Sequence, residues 1–300
     1  MILPNFLIIG TQKSGTTALA HHLTKHPQIY ISPVKEPGFF DFEGHKPNFC
    51  GPKDWELYRS VTTSIEDYSN LFEGVTGEIA IGEATTWYMY SQKAPEYIYR
   101  YIPDVKLIAI LRNPVDRAYS AFLHAIRDNR EMFTNFAHAL EEEETRINQN
   151  WEYLWHYKQM GFYSVQLERY FTLFNSSQIR IYLYEDLKNN PTELLNDICQ
   201  FLNVDEAQMP KMSQYINSSG LPKNKLLDRF LKRPNFIKTT LRFLVPSHKI
   251  RWHISMNLRN KNLVKPEMPS EARTKLIKLY HEDILKLQEL IQRDLSSWLE

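Results

Sequence analysis

Read from its amino terminus, the chain sets apolar runs of strand length between stretches whose apolar residues recur at helical spacing. Phe6-Leu7-Ile8-Ile9 meets Gly10, a polar loop runs from Thr11 to Thr17, and Leu19 and Leu23 then recur four apart. That order predicts strand, loop and helix, with His26-Pro27 closing the helix. Pro95 to Tyr101 reads as a helix ended by Pro103. Lys106 to Leu111 is a continuous apolar run suited to a buried parallel strand, and Asn113-Pro114 supplies an N-cap and first-turn proline for a helix from Pro114 to about Arg127. Phe136 to Gln149 is helical in character, an aromatic stretch follows (Trp151, Tyr153, Trp155, Tyr157), and Gly161 to Phe174 repeats apolar residues at three- and four-residue spacing. Ile179, Ile181 and Leu183 alternate as in a strand, and Pro191 to Leu202 is the next helix. Ser270 is expected to cap a long final helix with Leu276, Leu279, Ile284, Leu287 and Ile291 on its apolar positions. The alternation of strands and helices predicts an α/β fold: a P-loop-like central parallel β-sheet flanked by helices, forming a single domain over 1–300. Two segments fall outside that rhythm. One is a polar and aromatic insertion over 41–77, read as loop with short helices around Trp55 to Ser60 and Glu66 to Phe72 and placed to border a substrate cleft; the other is 205–265.

Composition changes this picture little. Three hundred residues at 43% hydrophobic content can bury a full core. A formal charge of +1 offers no general attraction to nucleic acid, so an anion must be held by locally placed groups. Cys50 and Cys199 are the only cysteines, which excludes a disulfide framework, and Cys199, among Leu195, Ile198, Phe201 and Leu202, reads as a small core residue. No apolar run approaches the roughly 20 residues that cross a bilayer, and Met1-Ile2-Leu3-Pro4 enters the first strand without a basic leader, so the expected location is cytoplasmic.

The first loop carries the candidate chemistry. Gly10 and Gly15 let the backbone of Thr11-Gln12-Lys13-Ser14-Gly15-Thr16-Thr17 curl, so that successive N–H groups and the positive end of the helix dipole face one anion, with Lys13 and the hydroxyls as further donors. Lys13 precedes Gly15, whereas a Walker A lysine follows its second glycine, which argues against an ordinary ATPase or kinase. A glycine-bearing turn of any α/β protein is the plain alternative. Arg112 stands at the carboxyl end of a predicted strand, where ligands of open α/β sheets bind, and Ser120 lies on the next helix. Without a ligand the two would be a helix-terminus ion-pair residue and an ordinary helix residue. Glu36, in Lys35-Glu36-Pro37-Gly38-Phe39-Phe40, is either a carboxylate free to take a proton or one paired with Lys35.

These residues together resemble the sulfotransferases that use 3′-phosphoadenosine 5′-phosphosulfate, in particular the bacterial enzymes and their heparan-sulfate-modifying relatives. Weaker blocks continue the likeness at Tyr184-Glu185-Asp186-Leu187, at Phe201 to Val204 and at Asn217 to Lys223. The resemblance implies sulfuryl transfer to an acceptor hydroxyl on a carbohydrate or glycolipid, with no metal. It implies that Glu36 is the general base and that Lys13 stabilises the departing oxygen. Lys13, Ser14, Gly15, Thr16 and Thr17 would hold the 5′ end of the nucleotide, Arg112 and Ser120 its 3′-phosphate, and a late basic loop at Lys223 and Lys225 would approach it. His22 and His45 stand next in line as a base. The animal relatives carry a membrane anchor that this sequence does not show, which favours the bacterial branch. Two positions depart from the pattern: Ala84 stands where heparan-sulfate enzymes have a lysine, and Thr17 where some relatives have arginine. From Lys211 to Lys265 the only acid is Asp228, while eleven lysines and arginines stand between those two lysines, with several aromatics. That surface suits an anionic glycan, the nucleotide or a peripheral membrane contact, or else a solvated lid that balances Glu141 to Glu144. A lipid, polyketide or other small-molecule alcohol as acceptor, a nucleotide kinase, and a non-catalytic binding protein are the rival readings.

Overall fold

The computed structural model describes residues 1–210, 220–224, 258 and 262–300, so most of the basic segment, Lys225 included, lies outside the described residues. In chain order the elements are β1 (Phe6–Gly10), α1 (Thr16–Leu23), β2 (Ile29–Ile31), α2 (Phe39–Phe42), α3 (Ile65–Asn70), β3 (Ala80–Ala84), α4 (Ala94–Tyr101), β4 (Lys106–Leu111), α5 (Pro114–Arg127), α6 (Phe136–Glu141), α7 (Glu143–Asn148), α8 (Tyr163–Leu173), β5 (Ile179–Leu183), α9 (Tyr184–Asn189), α10 (Pro191–Leu202), β6 (Leu221–Pro222), β7 (Leu263–Val264) and α11 (Ser270–Ile291).

Five strands form one parallel sheet in the order β2-β3-β1-β4-β5. β1 is apolar throughout because both faces of the sheet are covered. Leu7 and Ile9 join Leu107, Ala109 and Leu111 in one core cluster, while Phe6 and Ile8 join Ile108 and Ile110 in the other. Strand order reverses beside β1: the chain goes from β1 to the edge strand β2, returns inward to β3 next to β1, and then crosses to β4 on the other side. Loops leaving the carboxyl ends of β1 and β4 diverge at such a point and leave a crevice where ligands bind.

Local signals explain most boundaries. Asn113 Oδ1 accepts from the N–H groups of Val115 (3.0 Å) and Asp116 (3.5 Å), and Pro114 opens α5 as its first residue. Three details differ from the sequence reading. The expected helix from Phe136 to Gln149 is interrupted at Glu142 into α6 and α7. Ser270 is the first residue of α11 and not its cap, because Pro269 holds the cap position and no side chain accepts there. Leu279 is 43% exposed, since the buried stripe of α11 runs through Leu276, Tyr280, Ile284 and Leu287 at spacings of four, four and three. Among the described residues no helix is long and apolar enough to cross a membrane.

Candidate active site at the strand ends

Beyond Gly10 the chain leaves the sheet through a loop in which Lys13 (φ 72°) and Gly15 (φ 94°) adopt left-handed backbone. Gly15 is required twice over: that φ is costly for a residue with a side chain, and a Cβ there would stand 2.7 Å from Leu187 Cδ2 of α9. The loop thus lies against α9 and delivers its N–H groups to the amino-terminal pole of α1. Ser14 is fully buried and its Oγ has no hydrogen-bond partner. Among the described residues no carboxylate forms an ion pair with Lys13; burial, then the charge of Arg127, pulls its pKa down to about 7. A crowded amine and an orphaned hydroxyl beside a helix amino terminus are groups that an anion would satisfy.

Arg112, 8% exposed at the end of β4, joins this loop directly. Its Nη1 donates to the Lys13 carbonyl at 3.1 Å, its guanidinium lies 4.7 Å from the centre of the Tyr184 ring, and its own carbonyl accepts from Tyr163 Oη at 2.9 Å. Ser120 lies two turns along α5 and is fully buried. Thr16 is buried and Thr17 exposed at the start of α1. Lys223 is exposed beside the antiparallel β6–β7 pair, where its N–H donates to the Asn262 carbonyl at 2.6 Å. Lys265 directly follows β7, and its pKa is lowered by burial and by the charge of Arg112. Sequence reasoning passed over Lys265, because a pairing of two-residue strands some forty positions apart leaves no periodic signal.

Glu36 occupies a turn with left-handed backbone at Glu36 (φ 54°) and Gly38 (φ 66°). Thr86 Oγ1 donates to Glu36 Oε1 at 2.7 Å. The expected pairing with Lys35 exists only at 3.8 Å, with the lysine side chain 64% exposed, which is a screened and weak contact. The turn is fastened from behind: the Gly38 N–H donates to Thr85 Oγ1 (3.3 Å), which donates to Glu83 Oε2 (2.9 Å), while Tyr68 Oη donates to Glu83 Oε1 (3.2 Å). Glu83 is completely buried, and burial raises its pKa to about 7.

The 41–77 insertion is anchored rather than loose. The buried Asp54 carboxylate accepts from the N–H groups of Gly51 and Glu152, each at 2.8 Å, and from Trp155 Nε1 at 3.0 Å. Arg130 pairs with both Asp54 and Glu152. Burial raises the pKa of Glu152 to about 7. Neither histidine named from sequence fits a base: His22 is buried with Nε2 against the Pro210 carbonyl at 2.7 Å, and exposed His45 has Nδ1 on the Glu43 carbonyl at 2.9 Å. A third histidine was missed. His124, one turn beyond Ser120 on α5, lies 3.5 Å from Asp128 and is held well below the ordinary histidine range by burial and by the charge of Lys13. Its spacing of four from Ser120 is the signal that would have found it. Finally, a cavity of about 450 Å³ opens between α1 and the segment after β2 and reaches Ala84 and Thr86.

Anion-seeking groups on one side of the switch point and a clasped carboxylate on the other define a group-transfer site on an open parallel α/β sheet. Comparison with known proteins gives the family. A sulfotransferase domain matches residues 3–229, and the chain belongs to that family. The crystal structure of a sulfotransferase from Alicyclobacillus acidocaldarius superposes with a TM-score of 0.79 at 32% identity, covering 100% of both chains. The bifunctional heparan sulfate N-deacetylase/N-sulfotransferase 4 of Mus musculus is 27% identical over 312 residues, 99% of this chain and 31% of the relative. The membrane-associated sulfotransferase kil1 of Dictyostelium discoideum is 32% identical over 151 residues, 48% of this chain and 28% of the relative. The chain therefore spans about a third of the length of the curated relatives it matches.

Proposed function

We propose that this sulfotransferase moves a sulfuryl group from 3′-phosphoadenosine 5′-phosphosulfate to a carbohydrate hydroxyl, with Glu36 as general base. The single observation behind this reading is the clasped Glu36, whose Oε1 accepts from Thr86 at 2.7 Å while its only ion pair among the described residues is a long one to an exposed lysine. Glu36 takes the hydroxyl proton as the new O–S bond forms. The S–O bond to the nucleotide breaks at the same time, and Lys13 stabilises the charge that the bridging oxygen gains. The backbone and hydroxyls of Ser14, Gly15, Thr16 and Thr17 receive the 5′ end, Arg112 and Ser120 the 3′-phosphate, and Lys223 adds a cation from beside the β6–β7 pair. The whole chain acts as one domain in this reading, with 41–77 and 205–265 on the acceptor side. We further take the protein to be cytoplasmic, with 205–265 suited to an anionic glycan or a peripheral membrane contact.

The test is transfer of radiolabelled sulfate from the nucleotide donor to a panel of glycans, glycolipids and simple alcohols. An amino sugar belongs in the panel because the mouse relative is named an N-sulfotransferase. Label on a glycan supports the reading. Label only on simple alcohols would remove the carbohydrate acceptor, and nucleotide binding with no transfer to any of them would remove the enzyme assignment.

A further inference from the structure

One buried carboxylate stands behind the turn that presents Glu36. Glu83, Thr85, Tyr68 and Tyr88 are all completely buried. Thr85 Oγ1 donates to Glu83 Oε2 at 2.9 Å and accepts from the Gly38 N–H at 3.3 Å. Tyr88 Oη, which is also hydrogen-bonded to Glu83, accepts from the Phe40 N–H at 3.3 Å. Tyr68 Oη donates to Glu83 Oε1 at 3.2 Å, and its ring stacks on that of Phe39 with the centroids 4.7 Å apart. Three consecutive residues of the turn, Gly38, Phe39 and Phe40, thus lean on groups that Glu83 holds, while Thr86 grips Glu36 itself.

The direction of each of these hydrogen bonds depends on the charge of Glu83. A hydroxyl has one hydrogen to give, and an ionised carboxylate can only accept. Ionised Glu83 therefore draws the hydrogens of Thr85 and Tyr88 toward itself and turns their lone pairs to the two backbone N–H groups. A protonated Glu83 brings a donor of its own. Either Thr85 or Tyr88 must then turn its hydrogen against an N–H, or Tyr68 is left with a buried hydrogen and no acceptor, and each outcome loosens the turn. Among the described residues no cation pairs with Glu83. The titratable groups that face it are Glu36 and the phenols of Tyr68, Tyr88 and, from α8, Tyr170, which burial keeps neutral by raising their pKa values well above the ordinary range. With its own pKa raised by burial to about 7, Glu83 changes charge near neutrality.

We propose that Glu83 is a positioning residue: ionised, it sets the hydroxyls of Thr85 and Tyr88 to hold the Gly38 and Phe40 N–H groups and so fixes the Glu36 turn for proton transfer, and protonated, it releases that turn. The proposal rests on the reading of Glu36 as base, so its test has one arm that needs no acceptor. Amide hydrogen exchange over residues 36–42, read by mass spectrometry and corrected for the intrinsic effect of pH, follows the two N–H groups directly. Wild-type protection should rise between pH 6 and 8 by up to about tenfold, the change in the ionised fraction of a group that titrates near 7, and E83Q, whose amide always presents a donor, should lack the rise. Global stability moves the other way, because between the ordinary carboxylate pKa and about 7 the native Glu83 holds a proton that the unfolded chain has released. A purely structural Glu83 would therefore give protection that falls with pH. In the second arm, kcat is measured at saturating nucleotide with whichever member of the acceptor panel takes label. It should rise over the same pH range in wild type, whereas E83Q should be flat and, at pH 8, roughly ten- to a hundredfold slower with the nucleotide KM unchanged. T85V should lose protection and kcat in the same direction and T85S should restore both, which keeps the test decisive if E83Q does not fold. A rise in protection that persists in E83Q overturns the proposal, as does T85V with wild-type protection and kcat. Normal transfer by E36Q overturns the base reading instead, and the positioning role falls with it even where the protection contrast holds.

Discussion

Two of the regions in which this molecule buries charge treat it in opposite ways. In the core beside α7, Arg146 donates through Nη1 and Nη2 to the two oxygens of Glu131, each at 2.8 Å, and Tyr157 Oη and the Phe133 N–H donate to the same carboxylate. Four aromatic rings, those of Phe133, Trp151, Trp155 and Tyr157, surround the guanidinium. At the sheet ends, Lys13 forms no close ion pair among the described residues and the charge of Asp128 offsets its burial only in part, Arg112 offers one donor to a carbonyl and its face to Tyr184, and Ser14 Oγ is orphaned. A saturated pair holds a fold, whereas unsaturated groups at a switch point hold binding capacity for something absent from the chain.

The contrast breaks most visibly at Glu36. Glu36→Gln keeps the size of the side chain and an acceptor for Thr86 but cannot take a proton, so transfer should fall by about 10²–10⁴-fold while nucleotide binding and melting temperature hold. Normal transfer by this variant would move the base elsewhere, with His124 the next group to examine. Arg146→Met should behave in the reverse manner. It leaves Glu131 buried without its cation, so the unfolding free energy should drop by about 3–5 kcal/mol in denaturant titrations, with nucleotide affinity of the folded fraction unchanged. A variant that lost affinity and kept its stability would place Arg146 in the wrong class.

Lys13→Ala comes next in size. Its charge matters most as the leaving oxygen becomes negative, so turnover should lose about 2–4 kcal/mol of transition-state stabilisation. Because no ion pair among the described residues is broken, the unliganded protein should melt no lower than wild type. Wild-type turnover, or a large loss of stability, would make Lys13 a structural residue. The 3′ end gives a smaller effect. A nucleotide lacking its 3′-phosphate should bind roughly ten- to a hundredfold more weakly by calorimetry, as expected for lost hydrogen bonds to a charged group. Equal affinity would take Arg112 and Ser120 out of the site.

The same division explains what the sequence could reveal. β1, β4 and α5 were legible because their signals are local: a continuous apolar run for each strand and an Asn-Pro cap for the helix. Lys13, Arg112 and Glu36 could be singled out as candidates because each sits at a fixed offset from such a signal. The saturated regions were not legible. Arg130 with Asp54 and Glu152, Arg146 with Glu131, and Glu83 with Tyr68 join residues that are 15 to 98 positions apart, and nothing in either partner's neighbourhood announces the other. β2 is three residues long and β6 and β7 two each, too short to show alternation, so their pairing comes from tertiary context.

The smallest effect is also the most specific to the unsaturated region, because it follows from the depressed pKa of Lys13. In the free protein burial holds that amine near 7 against an unperturbed 10.5. Between those values the unfolded chain carries a proton that the native protein lacks, so this group's contribution to stability rises with pH across the window, and its cost is fully present below about 7. A bound phosphosulfate supplies the missing counter-charge and should restore the proton. Binding of 3′-phosphoadenosine 5′-phosphate at about pH 8 should therefore take up a fraction of a proton, up to roughly one, and near pH 6 the uptake should vanish because Lys13 is already charged. Calorimetry in buffers of differing ionisation enthalpy measures this directly. Lys13→Met should abolish the uptake at pH 8, whereas Arg146→Met, whose guanidinium stays charged at every pH in the range, should leave it intact. Uptake that survived in Lys13→Met would assign the titrating group to another residue, and the absence of uptake in wild type would mean that Lys13 stays charged without its ligand.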